Sequence, residues 1–185
     1  MKKDQNLYAK CKCCNVLKDK YDVSNCLTIL KNTDFMKAYG MNSDLFDYLL
    51  SSNFEWVCDK CLEDKYAITA SPFLQVDTLN PHLAYYDVSL NCKKCGEDFK
   101  FTKEEKKFWY EDLKFFRESV PVNCLKCRKE IRILKSQNKV LSQVLKKDVN
   151  EMSLDELSQI AKIYDEWDKK DKLNFYNKVI ETRLK

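Results

Sequence analysis

Apolar residues recur at helical spacing over much of this chain and alternate over shorter stretches. Between Asp34 and Leu50 they fall at Phe35, Met36 and Tyr39, break at Gly40, and resume at Leu45, Phe46, Leu49 and Leu50. That spacing predicts two short helices around a glycine turn, the second capped by Asn42 or Ser43. Residues 67–90 hold Pro72 and Pro81 among mixed apolar positions and read as extended connections, ending in a strand over residues 84–90. Phe99 and Phe101 then alternate, placing both rings on one face of a short strand. Thr102 and Glu105 have capping-box spacing and predict a helix from Lys103 to about Arg117, with Phe108, Trp109, Leu113, Phe115 and Phe116 as its apolar set.

The remainder reads as helices. Residues 126–147 are amphipathic. Ser153 and Glu156 form a second capping-box pair, opening a helix to about Trp167 whose face carries Leu154, Leu157, Ala161 and Tyr164. Leu173, Tyr176, Val179, Ile180 and Leu184 predict a last helix. Only two glycines and three prolines in 185 residues argue against an all-β fold, and 44% hydrophobic with 34% charged residues is a globular composition.

Cysteine changes this picture most. Eight of the ten cysteines form four pairs with two intervening residues: Cys11 and Cys14, Cys58 and Cys61, Cys92 and Cys95, Cys124 and Cys127. That spacing lets both thiolates of a pair reach one tetrahedral metal about 2.3 Å away, and two pairs close a structural site. A disulfide framework would call for an oxidising compartment, but the N-terminal residues carry no apolar run after their lysines and no stretch approaches a membrane span. The expectation is an intracellular, cytoplasmic protein with reduced thiols and two Zn2+ per chain. Its fold class is α+β: two four-cysteine zinc-knuckle or zinc-ribbon modules followed by a C-terminal helical bundle or hairpin. The predicted divisions are an N-terminal zinc module (1–66), a connecting segment with a strand (67–89), a zinc-ribbon module (90–130) and a helical region (131–185). Cys13 offers a competing Cys11-x-Cys13 arrangement at the first site. Cys26 reads as a core residue, with a redox-sensitive thiol as the alternative.

The order of motifs from Leu90 to Arg132 resembles the small bacterial "probable zinc-ribbon" domains. Cys92, Cys95, Gly96, Phe99, Phe101, Glu105, Phe108, Trp109, Cys124, Cys127 and Arg128 occupy the matching positions, while Lys106 stands where many members have glutamine. The resemblance implies a zinc-binding fold and its ligands, and carries no activity with it. Cys11, Cys14, Lys18 and Tyr21 are similar, over a much shorter stretch, to phage and bacterial zinc fingers, some of which accompany HNH-type nucleases.

The formal net charge of +4 falls to zero once eight thiolates and two divalent ions are counted. Attraction to nucleic acid must therefore come from a local patch. Residues 126–147 supply one, with eight Lys or Arg against Glu130 alone. At about 100° per residue, Arg128, Arg132, Lys135, Lys139 and Lys146 share a sector of about 60°, opposite an apolar half formed by Ile131, Ile133, Leu134, Val140, Leu141, Val144 and Leu145. The leading function is a non-catalytic protein that binds DNA or RNA, with zinc orienting this helix so that its stripe meets phosphates. The alternative is a protein-interaction adaptor or dimerising scaffold with purely structural zinc. Ile131, Leu134, Asn138, Leu141 and Leu145 have heptad spacing, which allows a homodimer, although the wide apolar face favours packing against the C-terminal helices.

Enzymatic readings are poorly supplied. The two glycines stand 56 positions apart, so no phosphate-cradling loop exists. The single histidine, His82, is far short of an HNH centre and reads as a surface residue. Thiol chemistry at Cys13 or Cys26 stays open. The aromatic residues Phe99, Phe101, Phe108 and Trp109 read as a small core rather than a base-stacking platform.

Overall fold

The computed structural model describes residues 8–34, 36, 44–51, 54–76 and 80–185. It is a mixed α+β structure whose chain divides into two units, Met1–Cys124 and Leu125–Lys185.

Three two-stranded antiparallel ribbons carry the first unit: β1 (Ala9–Lys10) with β2 (Leu17–Lys18), β3 (Ala67–Thr69) with β4 (Ala84–Tyr86), and β5 (Val88–Asn91) with β6 (Asp98–Phe101). The strand expected over residues 84–90 is thus two strands divided at Asp87. One half pairs with Ala67–Thr69 and the other with Asp98–Phe101. Three helices lie among the first ribbons: α1 (Ser24–Lys31), α2 (Leu45–Ser51) and α3 (Asp59–Glu63). The Gly40 turn and its flanking caps Asn42 and Ser43 fall outside the described residues. Asp44 accepts the Phe46 N–H at 2.9 Å at the start of α2.

The main core of this unit packs Val23, Cys26, Leu30, Met36, Phe46, Leu49, Phe54 and Trp56 around Cys11, Cys58 and Cys61. A smaller core joins Tyr85, Phe101 and Tyr110. Helix α4 (Lys103–Lys107) starts where predicted, with the Thr102 hydroxyl accepting the Glu105 N–H at 3.2 Å and Asp87 accepting that of Lys103 at 2.9 Å. It ends earlier than predicted. A π-helical turn over Phe108–Asp112 shifts the register, burying Tyr110 and Glu111, and Lys114 takes a left-handed conformation with φ 58°. Phe108, Phe115 and Phe116 are consequently exposed, Phe115 keeping an edge contact with Trp109 at 5.0 Å.

The second unit has three helices, α5 (Leu125–Val144), α6 (Leu154–Glu166) and α7 (Lys170–Arg183). The capping box at Ser153 and Glu156 forms in full. Leu157, Ile160, Ala161, Ile163 and Tyr164 of α6 pack with Tyr176 of α7 and with Leu141 and Val144 of α5. Only the C-terminal end of α5 supplies this core. Ile133 and Leu134, expected on a buried face, are exposed because α6 and α7 cover too short a length of the helix, and Leu145 is exposed in the turn that follows α5. Leu154 likewise faces outward.

Candidate metal centres

The structure gathers eight sulfur atoms into two sets. Within each set, Cys11, Cys14, Cys58 and Cys61, and Cys92, Cys95, Cys124 and Cys127, the ligand atoms all lie within 4.8 Å of one another. The sulfur separations bear on the metal. Cys58 and Cys61 are 3.5 Å apart, Cys14 and Cys58 3.9 Å, Cys11 and Cys61 4.0 Å, and Cys95 and Cys124 3.9 Å. A tetrahedron with Zn–S bonds of 2.3 Å has edges of about 3.8 Å. A disulfide at about 2.05 Å is far shorter, and all ten cysteines are unbridged. Four soft donors at tetrahedral separation fit zinc, and leave no coordination position for water or substrate.

Both centres are built on one backbone plan. In each, a two-stranded ribbon closes through a knuckle that supplies the first pair. The N–H of Cys11 donates to the Val16 carbonyl at 3.0 Å, and that of Cys92 to Glu97 at 2.9 Å. The Asn15 N–H returns to the Cys11 carbonyl at 2.9 Å, and the Gly96 N–H to Cys92 at 2.8 Å. Asn15 and Gly96 both have positive φ, 61° and 75°, which glycine adopts freely and asparagine tolerates. The second pair begins a helix. Cys58 is the N-cap of α3 and Cys124 immediately precedes α5, and each donates its N–H to the first sulfur of its knuckle, to Cys11 and to Cys92, at 3.2 Å in both cases. The exposed ligands correspond too, Cys14 in one centre and Cys95 in the other.

Thiol environments differ between the centres. Burial pushes Cys58 and Cys61 up. At Cys92 burial also pushes upward, but the surrounding backbone N–H groups prevail and hold the thiol at about 6. Cys13 stays outside the first cluster, its sulfur 4.0 Å from the Tyr66 carbonyl, so the Cys11-x-Cys13 arrangement does not form. Cys26 is fully buried, donates to the Val57 carbonyl at 3.3 Å, and is pushed up to about 12 by burial.

His82 departs from expectation. It is 7% exposed, its ring stacks on Tyr110 at 4.5 Å, and its peptide exchanges two hydrogen bonds with the Gln75 side chain. An isolated parallel bridge between Glu55 and His82 draws this segment inward, and no local pattern announces such a long-range pairing.

Of the basic residues singled out above, Arg132, Lys135 and Lys139 are exposed on α5 and Arg128 is half-buried. Lys146 lies in the turn just beyond the helix, which ends at Val144. Among the described residues, no helix is long and apolar enough to cross a membrane.

A hairpin knuckle joined to a ligand pair that opens a helix defines a class of small cysteine-zinc domains, and the chain carries that arrangement twice. Residues 86–135 match a family model described as a probable treble clef domain. The match includes the stretch whose motifs resemble the zinc-ribbon domains, and its description agrees with Cys124 and Cys127 standing at the start of a helix. No curated protein and no solved structure matches the chain. The chain is accordingly a zinc-binding domain protein with two four-cysteine clusters.

Proposed function

We propose that the protein binds nucleic acid through the basic stripe of α5, both metal centres being structural. The observation that supports this reading best is the absence of neutralisation along the stripe. Arg132, Lys135, Lys139 and Lys146 are exposed and pair with no carboxylate among the described residues, whereas nearby Lys147 is taken by Glu156. Three unpaired cations on one side of α5, with Lys146 in the turn that follows it, can track a phosphate strand, displacing one counterion per contact. The closed cysteine tetrahedra support a non-catalytic role, since catalytic zinc keeps an open position.

The test is a salt titration of binding to single- and double-stranded DNA and RNA, with protein verified to hold two zinc ions per chain. Four phosphate contacts on duplex DNA give a slope of log K against log salt of about −3 to −4, so a fourfold rise in salt weakens binding about 100-fold. The pair Arg132→Glu and Lys139→Glu should abolish that binding with zinc content and helicity unchanged. No binding at low salt rejects the reading.

The alternative, a protein-interaction adaptor, draws on a different observation. Ile133 and Leu134, 56% and 42% exposed, leave apolar surface on the same helix. A partner captured there would tolerate the charge reversals and fail with Ile133→Ser and Leu134→Ser.

A further inference from the structure

A cavity of about 270 Å³ is lined by residues of the first unit, none of them a cysteine. Its polar lining comes from Glu55, His82, Lys106 and Arg117, and its walls from Phe101 and the aliphatic residues Val88, Leu90 and Val120. Lys106 is the unusual member. A lysine is rarely buried without a carboxylate beside it, yet this one is 9% exposed. Among the described residues its Nζ makes no ion pair or hydrogen bond. Its neighbours are ring faces, that of Tyr86 at 4.4 Å and that of Phe101 at 5.8 Å.

Ring faces compensate a buried ammonium only in part. Glu55 is turned to another task, accepting the Tyr86 hydroxyl at 2.8 Å, which fixes the ring on which Lys106 rests. Burial pushes the Lys106 amine down, outweighing the opposing charges of Glu55, Asp87 and Cys13. Arg117 brings a second cation to the lining, its guanidinium donating to the Asn80 carbonyl at 2.7 Å. A buried ammonium without a carboxylate partner, set beside apolar carbon, attracts an anion more strongly than one in water would.

We propose that this cavity is a binding site for a small organic monoanion, whose carboxylate is received by Lys106 and whose apolar body rests against Phe101, Val88, Leu90 and Val120. The site is separate from the nucleic-acid reading, since none of its residues lies on α5.

The probes are benzoate and its uncharged counterpart benzamide, titrated into the full zinc-loaded chain with 13C-labelled lysine. The expected result is a saturable shift of the Lys106 ε-methylene signal by benzoate at millimolar concentration. Benzamide should bind at least about 10-fold more weakly, as should benzoate to Lys106→Gln, the loss expected for a charge-assisted hydrogen bond. Equal binding of benzoate and benzamide overturns the proposal, and that comparison needs no variant. Undiminished benzoate binding to Lys106→Gln, or no saturable shift at any concentration, overturns it as well.

Discussion

Helix α1 supplies no cap of its own. The residue before it is Val23, whose side chain accepts nothing, so the first N–H groups depend on another element. Asp59, in the first turn of α3 and beside the ligand Cys58, provides the acceptors. One carboxylate oxygen accepts the Ser24 N–H at 2.9 Å and the Ser24 hydroxyl, and the other accepts the Asn25 N–H and side-chain amide, both at 3.0 Å. Asp59→Ala removes a cap, about 0.5–2 kcal/mol, and a negative charge at a helix N-terminus, about 0.3–1 kcal/mol. The sum, about 2 kcal/mol, corresponds to about a 30-fold shift in the folding equilibrium. Cys26 and Leu30 of α1 pack in the core that encloses Cys11, Cys58 and Cys61, so the loss should be felt at the first metal centre and not at the second. The assay is zinc release to a chromophoric chelator, with unfolding followed by circular dichroism. One of the two zinc ions should leave about 30-fold faster than from the wild type while the other keeps its rate. Asp59→Asn, which retains one acceptor, should fall between. Release of both ions at wild-type rates from Asp59→Ala, with an unchanged unfolding midpoint, would refute the coupling.

Three further outcomes follow from described geometry. Gly96→Ala should destabilise by about 1–2 kcal/mol in a denaturant melt, because φ is 75° and the added carbon meets nothing within 4 Å, so the cost is conformational alone; Asn15→Gly should be neutral or slightly stabilising. Leu157→Ala, at a fully buried position in α6, should cost about 2–5 kcal/mol in the helical unit and leave zinc content at two per chain by elemental analysis. Glu156 is held below its ordinary value of 4.5 first by Lys147 and then by the Ser153 N–H, so its contribution is present above that value and is lost as pH falls through the lower folded one; Glu156→Gln should flatten this part of the acid stability profile.

The parts legible in the sequence are those where chemistry is local. Two residues between cysteines constrain both thiolates to one metal, and Ser153 with Glu156 announces the start of α6 within four positions. Both patterns carry their own geometry. The parts that were hidden depend on distant partners. Glu55 meeting His82 buries a histidine that looks exposed in its proline-flanked setting. The π turn at Phe108–Asp112 trades one hydrogen-bond register for another, so aromatic spacing projected along an ideal helix misplaces Phe115 and Phe116. The apolar stripe of α5 predicts a buried face correctly at Leu141 and Val144 but cannot report how far α6 and α7 extend along it. Asp59 is the sharpest case, because an acidic residue between two metal ligands gives no hint that it caps a helix 35 positions earlier in the chain.

The shared plan of the two centres has a consequence for how the chain acquires its metals. Cys11 with Cys14 presents the same donors, in the same backbone frame and with the same waiting N–H partner, as Cys92 with Cys95. A zinc ion meeting the unfolded chain therefore has little beyond a loop-closure difference of about 0.6 kcal/mol per doubling of loop length to prefer native over exchanged pairs until the surrounding carbon has condensed. Discrimination rests with the core that closes around the first centre, Val23, Leu30 and Trp56 among it. Adding zinc to a fully denatured chain should accordingly populate scrambled, mis-ligated species that anneal slowly. Synthesis from the N-terminus avoids that trap, because the four ligands of the first centre, Cys11 to Cys61, emerge before those of the second exist.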